Sequence, residues 1–217
     1  MNRSALYATI AMLPVLAFAP LSSAAPESKP ISTLEQLAEP LGVGGQMPIF
    51  RIDDASSDAE HDLGKLLESG PVVVTFFRGS WCPYCVGELS TIQKQLENIT
   101  SAGATVLAIS PEKQENTSEL IEQKKLGFLF GTDHNNELAT KLALSFKLDA
   151  KTIKRYKEYG IDLPDANDSK LWQLPIPATY IIDTDGSVVW SFVDPDYSKR
   201  ADYTQVVKKL KELQQDG

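Results

Sequence analysis

The stretch PVVVTFFRGSWCPYCVGEL, residues 71–89, contains the features that decide the fold. It begins with the apolar, β-rich run VVVTFF, which is typical of a strand buried on both faces of a sheet covered by helices. From Pro83 to about Ala102 apolar residues recur at helical spacing, and proline is well tolerated in the first turn of a helix. Cys82 and Cys85, the only two cysteines among 217 residues, therefore fall at a strand-to-helix junction.

This placement favours redox chemistry for the two cysteines. The start of a helix presents free N–H groups and a positive dipole end, and both stabilise the thiolate that acts as the nucleophile. We assign Cys82 as the attacking thiol and Cys85, one turn further along, as the resolving thiol. Together they are predicted to form a redox-active disulfide.

Three other roles for the cysteine pair stay open: a structural disulfide, a metal-binding pair and two ordinary buried thiols. A disulfide that closes a loop of about four residues adds only about 2 kcal/mol of stability, less than a longer loop would give. A closed zinc site takes about four ligands, and the only histidines, His61 and His134, are far from the pair in sequence. We therefore expect no metal and no cofactor.

The N-terminus has the three parts of a secretory signal peptide. Arg3 precedes the apolar run ALYATIAMLPVLAFAPL, and small residues follow it, so we expect cleavage after Ala24. The alternative is a membrane anchor, but Pro14 and Pro20 interrupt the run, which is shorter than the ~20 residues that a spanning helix needs. Residues 1–24 thus predict export to a periplasm or by secretion, with no integral membrane span after cleavage.

The composition limits the partners and the domain count. A formal charge of −8 makes nucleic acid and anionic membrane surfaces poor partners. The mature length suits one domain with a well-buried core. We expect an N-terminal helical extension at residues 25–41 and one domain at residues 42–217, with an insert at about residues 149–174.

The remaining patterns complete an α/β arrangement. Further strands are predicted at IFRI, TVLAIS and FLFGTD, and further helices at DLGKLLES, PEKQENTSELIEQKKLG, NNELATKLAL and, less regularly, KTIKRYKEYG. The strand-like runs TYIID and SVVWSFV flank Asp185-Gly186, a strong hairpin signal. ADYTQVVKKLKELQQ follows as a closing helix. This order predicts a central mixed β-sheet flanked by helices, with a C-terminal β-hairpin and helix.

Two motifs resemble the thioredoxin superfamily: WCPYC after an apolar strand, and LPIPATYIID at residues 174–183. The resemblance implies a thioredoxin-like fold. It also implies that Pro177 follows a cis peptide bond opposite the cysteine pair. The backbone of Ile176 would then face the sulfurs and pair with an incoming chain or disulfide. A plain proline before a strand is the alternative.

The chain also resembles the peroxiredoxin-like branch of the alkyl hydroperoxide reductase / thiol-specific antioxidant family. The resemblance covers roughly residues 42–210 and includes GGQMPIFRI, VVVTFFRGSWCPYCVGEL, GATVLAISPE, IDLPDAN, LPIPATYIID and FVDPDY. It implies a thiol peroxidase that is restored by an external dithiol or a thioredoxin-like reductant.

The chain departs from the family pattern at several positions near the cysteines. Typical members carry a hydroxyl residue three positions before the attacking cysteine, where this chain has Gly79, with Ser80 the nearest hydroxyl. They also place an arginine beside the thiolate from a later strand, whereas TYIIDTDGSVVWSFV has none. Arg78 is the obvious substitute, although it could equally be a solvated charge at the strand end. Trp81 is expected either to cover the sulfur or to serve in packing.

Some charged residues are weighed mainly as surface groups. Glu88 could move a proton to or from Cys85, but a solvated position is favoured. A small basic cluster could steer acidic partners, although a solvated face is again favoured; it comprises Lys151, Lys154, Arg155 and Lys157.

Three functions remain in competition. The first is a thiol peroxidase that reduces hydrogen peroxide or organic hydroperoxides through a Cys82 sulfenic acid resolved by Cys85. The second is an exported thiol–disulfide oxidoreductase acting on protein disulfides. The third is a non-catalytic binding module with the same fold. The first two both require an external reductant, because an oxidising compartment keeps such a pair as a disulfide.

Overall fold

The computed structural model describes residues 39–216. The predicted signal peptide and nearly all of the predicted N-terminal helical extension lie outside the described residues.

A mixed sheet of seven strands forms the centre of the described part of the chain, and two further strands form a separate antiparallel pair. In chain order the strands are β1 Arg51–Asp54, β2 Glu60–Asp62, β3 Val72–Phe76, β4 Thr105–Ser110, β5 Leu129–Thr132, β6 Ser145–Lys147, β7 Gln173–Pro175, β8 Ala178–Ile182 and β9 Val188–Val193. The order in the main sheet is β2-β1-β5-β4-β3-β8-β9. β3 pairs parallel with β4, β4 pairs parallel with β5, and the remaining pairings are antiparallel.

Helices cover the sheet. They are α1 Leu63–Leu67, α2 Pro83–Ser101, α3 Gln114–Lys124, α4 Glu137–Lys141, α5 Ala150–Glu158, α6 Leu163–Ala166 and α7 Tyr203–Asp216, with a 3-10 turn at His134–Asn136. None of the helices within residues 39–216 is long and apolar enough to cross a membrane.

β3 divides the core into two layers. Val73 packs with α2 and α7 on one face of the sheet, while Val72, Val74 and Phe76 pack with α1 and α4 on the other. All five residues of β3 are buried. This confirms the predicted strand with two buried faces, which follows from helices covering both sides of the sheet.

The predicted α/β architecture with a C-terminal hairpin and helix is confirmed. α2 begins at Pro83 as predicted, and β8 and β9 form the antiparallel pair around Asp185-Gly186. The predicted helix NNELATKLAL is shorter than expected. Asn135 and Asn136 adopt left-handed backbone conformations, with φ of 57° and 54°, so only the five residues of α4 are α-helical.

The region between β6 and β7 builds a second layer above the start of α2. It holds α5 and α6, and its small core of Leu148, Leu163 and Leu174 contacts Trp81. The β6–β7 pair closes the base of this region, because it brings residues 145–147 beside residues 173–175. Residues distant in sequence from the cysteines therefore come to lie beside them.

Candidate active site

Cys82 occupies the N-cap position of α2 and faces a cleft of about 500 Å³. Its carbonyl oxygen accepts the first helical hydrogen bond, from the N–H of Val86 at 3.0 Å. Cys82 is 4% exposed, whereas Cys85 is completely buried beneath it, and both are free thiols. Of the two sulfurs, that of Cys82 is the one placed to meet a molecule entering the cleft.

The local electrostatics divide the two cysteines into a thiolate and a thiol. A hydrogen bond from the Cys85 thiol lowers the pKa of Cys82 to about 6, against the opposing effect of burial. The backbone N–H of Cys85 and the positive charges of Arg200 and Arg78 act in the same direction. The same contact with Cys82, together with burial, raises the pKa of Cys85. At neutral pH the site therefore holds a thiolate at Cys82 and a proton on Cys85.

Arg200, from the loop between β9 and α7, lies against the sulfurs and was missed by the sequence analysis. Its Nη2 lies 3.5 Å from the Sγ of Cys85. Its Nε lies 2.7 Å from Oε2 of Glu88. This contact is an ion pair rather than a hydrogen bond, because its angle falls outside the hydrogen-bond range. The sequence signal of Arg200 lies beyond the run SVVWSFV, because the motif FVDPDY is followed within a few residues by Lys199-Arg200. Arg200 rather than Arg78 exerts the larger effect on the Cys82 thiolate.

Arg78 is also buried, at 4% exposure, so the alternative of a solvated strand-end charge is wrong. Its guanidinium carbon lies 4.7 Å from the ring centroid of Tyr197 and 5.6 Å from that of Phe146. Such cation–π contacts hold a desolvated arginine in place. The positive charge is thereby kept at the wall of the cleft, where it favours the Cys82 thiolate.

Trp81 combines both roles considered for it. Its ring packs edge-to-face on Tyr156 of α5, with 5.7 Å between centroids, and contacts both the main core and the small core under α5. It also lines the cleft beside Cys82.

The family's hydroxyl position cannot carry a side chain in this loop. Gly79 has φ of +146°, and a Cβ built there would lie 2.5 Å from Nε1 of Trp81. The neighbouring hydroxyl of Ser80 donates to Oε1 of Glu112 at 2.8 Å, and the Ser80 N–H donates to Oε2 at 2.7 Å. The carboxylate of Glu112 therefore anchors the loop before Cys82 and occupies the hydroxyl of Ser80.

The expected cis bond before Pro177 is wrong. There is no cis peptide bond among residues 39–216, so the Ile176–Pro177 bond is trans. The N–H of Ile176 donates to the carbonyl oxygen of Leu144 at 2.5 Å, which continues the β6–β7 pairing. Because that donor is already used within the chain, it is not free to pair with an incoming strand. Neither Ile176 nor Pro177 lines the cleft.

The cleft is mainly aromatic and apolar, with two arginines. It is lined by Arg78, Trp81, Cys82, Pro83, Tyr84, Phe146, Leu148, Thr152, Arg155, Tyr156, Tyr159, Ile161, Pro195 and Tyr197. Of the predicted basic cluster on α5, only Arg155 reaches the cleft, and Lys157 instead lies 5.3 Å from the ring centroid of Trp172. Within residues 39–216 no group of three or more His, Cys, Asp or Glu side chains is arranged to hold a metal.

Glu88 is not on the surface, as the sequence analysis favoured, but 6% exposed between α2 and α7. The hydroxyl of Tyr203 donates to its Oε1 at 3.2 Å. Burial, which disfavours the charged carboxylate, raises the pKa of Glu88 to about 7 despite the opposing charge of Arg200.

This fold and thiol site define a thioredoxin-like protein of the peroxiredoxin class. A family model described as the AhpC/TSA family matches residues 43–191, more than half of the chain, so the chain belongs to that family. No match was found among curated protein sequences.

Solved structures share the fold at low sequence identity. Peroxidoxin BcpB from Mycobacterium tuberculosis has a TM-score of 0.62 at 16% identity, covering 79% of this chain and 97% of its own. A peroxiredoxin-like protein from Aquifex aeolicus has a TM-score of 0.63 at 19% identity, covering 80% and 88%. A yeast mitochondrial 1-Cys peroxiredoxin has a TM-score of 0.62 at 16% identity, covering 81% and 77%.

Removal of the Cys85 hydrogen bond should weaken the Cys82 thiolate. We expect Cys85→Ala to move the midpoint of Cys82 ionisation from a pKa of about 6 to higher pH, because the Cys85 thiol is the largest stabilising contribution. The rate of alkylation of the reduced protein by iodoacetamide, followed against pH, measures the midpoint. Cys85→Ser retains a donor and should give a smaller displacement. An unchanged midpoint in Cys85→Ala would show that other groups set the ionisation.

A threonine at position 79 would restore the family's hydroxyl group, but it should not fit the backbone conformation there. We expect Gly79→Thr to lower the free energy of unfolding by about 2 kcal/mol or more, because it combines a strained φ with a steric clash. The reaction with peroxide should become slower, since the loop carrying Cys82 must shift. Urea unfolding and peroxide kinetics provide the two measurements. Gly87→Ala, at an open helical position, is the control and should be neutral or stabilising. A Gly79→Thr protein that is as stable as the parent and reacts faster with peroxide would contradict the conclusion that this position requires glycine.

Proposed function

We propose that the protein is a thiol peroxidase in which Cys82 reduces a hydroperoxide and Cys85 resolves the oxidised product. The observation that carries the proposal is the geometry at Cys82: a thiolate stabilised at a helix N-terminus, open to a cleft and flanked by the buried Arg78 and the partly buried Arg200. Membership of the AhpC/TSA family supports the same chemistry.

In the first step the Cys82 thiolate attacks one oxygen of the hydroperoxide. The S–O bond forms as the O–O bond breaks, and the leaving alkoxide takes up a proton to give the alcohol. The sulfur becomes a sulfenic acid, oxidised by two electrons. Arg200 and Arg78 stabilise the negative charge that moves from sulfur to the leaving oxygen, and such stabilisation is strong where water is excluded.

In the second step Cys85 attacks the Cys82 sulfenic acid. The S–S bond forms, the S–O bond breaks, and water leaves with the proton of the Cys85 thiol. The proximity that this step needs is supported by the position of Cys85 one turn after Cys82 on α2 and by its effect on the pKa of Cys82, the largest of all. Because Cys85 is completely buried, it is protected from direct attack by peroxide and is reserved for this step.

An external dithiol completes the cycle by reducing the disulfide with two electrons and two protons. The yeast mitochondrial 1-Cys peroxiredoxin is resolved through glutathione and thioredoxin systems, which supports a thioredoxin-like reductant here. Export, as residues 1–24 predict, would require that the reductant also act outside the cytoplasm.

The cleft favours a substrate larger than hydrogen peroxide. About 500 Å³ of mainly apolar, aromatic space lies next to Cys82, which far exceeds the room a single peroxide group needs. An organic hydroperoxide can bury its hydrocarbon part there while its O–O bond meets the sulfur.

The reduced protein should react with hydroperoxide much faster than a free thiolate. We expect an acceleration of about a hundredfold or more, the scale contributed by fixed donors and charges at a reacting oxyanion. Stopped-flow fluorescence with cumene hydroperoxide measures the rate. Cys82→Ser should abolish the reaction, and Cys85→Ser should gain one oxygen atom by mass and stop there.

A slow peroxide reaction combined with fast exchange with a protein disulfide would overturn the proposal in favour of the thiol–disulfide oxidoreductase. In that case Cys85→Ser would accumulate as a mixed disulfide with substrate proteins. A protein inert in both reactions, with cysteines dispensable for its effect in the cell, would indicate a binding module.

The preference for bulky hydroperoxides should depend on the aromatic wall of the cleft. We expect Phe146→Ala to lower the ratio of the rate constants for cumene hydroperoxide and hydrogen peroxide about fivefold, as expected for roughly 1 kcal/mol of lost apolar contact. Leu171→Ala is the matched control, because Leu171 is also 38% exposed but lies outside the cleft. An unchanged ratio in Phe146→Ala would show that the cleft does not bind the substrate.

A further inference from the structure

Glu88 lies in a buried polar chain that extends from the cysteine pair into the sheet. The carboxylate is three residues after Cys85 on α2. Arg200 connects Glu88 to the Cys85 sulfur, at 2.7 Å and 3.5 Å respectively. On the other side Tyr203 donates to Glu88 at 3.2 Å, and its hydroxyl lies 3.3 Å from that of Thr179 on β8.

Arg200 thus contacts the Glu88 carboxyl group and the Cys85 sulfur, and its positive charge also lowers the pKa of the neighbouring Cys82. Two groups that can carry a negative charge, Glu88 and Cys82, therefore share one guanidinium. With Cys82 ionised and Glu88 ionised as well, two buried anions would compete for Arg200. Buried charge that lacks a counter-ion is costly, so the second anion tends to take up a proton instead. Burial first, and then the charge of the Cys82 thiolate, raise the pKa of Glu88, while Arg200 and Tyr203 oppose them.

The charged and titratable groups that face Glu88 come from two elements. Cys82 lies at the start of α2, Arg200 lies in the loop before α7, and Tyr203 is the first residue of α7. When peroxide converts the Cys82 thiolate into a neutral sulfenic acid or disulfide, one of the two competing anions disappears. Glu88 then becomes the only anion paired with Arg200.

We propose that Glu88 is a positioning residue that exchanges one proton in step with the redox state of Cys82, so that Arg200 always faces one anion. Glu88 holds the proton while Cys82 is a thiolate and releases it when Cys82 is oxidised. In the peroxide reaction this inference rests on the proposed function, but the coupling itself applies to any oxidation of the cysteine pair.

The cycle balances in protons and electrons. In oxidation, the Cys82 thiolate, the hydroperoxide and protonated Glu88 give the sulfenic acid, the alcohol and the Glu88 carboxylate. Cys85 then forms the disulfide and releases water. In reduction, a dithiol supplies two electrons and two protons, one of which returns to Cys85 and the other to Glu88, leaving Cys82 as the thiolate.

The reduction potential of the Cys82–Cys85 pair, measured against pH in dithiothreitol redox buffers, tests the coupling without any peroxide. Below the titration of Glu88 near a pKa of about 7, two protons accompany two electrons. The potential should then fall by about 59 mV per pH unit, twice the ~30 mV that one proton gives in this two-electron couple. Above that pH the slope should become about 30 mV.

Glu88→Gln should move the change of slope down to about pH 6, where the Cys82 thiolate itself takes up a proton, because the neutral amide keeps the shape of the carboxyl group but exchanges no proton. Tyr203→Phe removes a donor that favours the carboxylate, so its change of slope should move to higher pH. Glu112→Gln is the matched control, since Glu112 is a second buried carboxyl group whose bonds go to Ser80 rather than to Arg200. Its slope should equal that of the parent protein.

Equal slopes in the parent protein and Glu88→Gln would overturn the inference. A purely structural role would move the potential by the same amount at every pH and leave the change of slope in place. Different slopes in a protein that fails to reduce peroxide would support the coupling and reject the peroxidase. A parent protein that reduces peroxide rapidly but has the same slope as Glu88→Gln would support the peroxidase and reject the coupling.

Discussion

Around Arg200, groups that can carry negative charge meet in an interior that excludes water. The Cys82 thiolate and the Glu88 carboxyl group both interact with this guanidinium, while the Cys85 sulfur lies within 3.5 Å of it. In such surroundings the number of negative charges is limited by the number of positive ones. Arg200 and Arg78 favour the thiolate at Cys82, while burial and the contact with Cys82 keep the proton on Cys85. The chemistry of the site depends on this separation into one thiolate and one thiol.

The loop before Cys82 differs from the family pattern, which has a hydroxyl residue three positions before the attacking cysteine. At Gly79 the backbone turns tightly against Trp81, and the hydroxyl of Ser80 is bound by Glu112. The loop before Cys82 therefore presents no free side-chain hydroxyl at positions 79 and 80. The region between β6 and β7 provides much of the walls of the cleft, including Tyr156, which packs on Trp81. It converts an ordinary strand-to-helix junction into an enclosed aromatic site.

Much of the fold could be predicted because the decisive elements carry strong local patterns. β3, β4 and α2 combine apolar periodicity with clear turn or cap signals, and the β8–β9 hairpin has Asp-Gly at its turn. The short strands escaped prediction for an equally physical reason. β2 is the charged tripeptide EHD at a sheet edge, and the three-residue β6 and β7 exist only because they pair with each other across a long connection.

The sequence by itself determined the strand-to-helix junction and the pair of thiols at a helix N-terminus, because these follow from local spacing and backbone chemistry. Only the tertiary structure decided which charges surround them. It buried Glu88, which had seemed a surface residue, and brought Arg200 to the sulfurs from a distant loop. It also left the bond before Pro177 trans. Burial and charge pairing depend on contacts between residues far apart in the chain, and no local pattern records them.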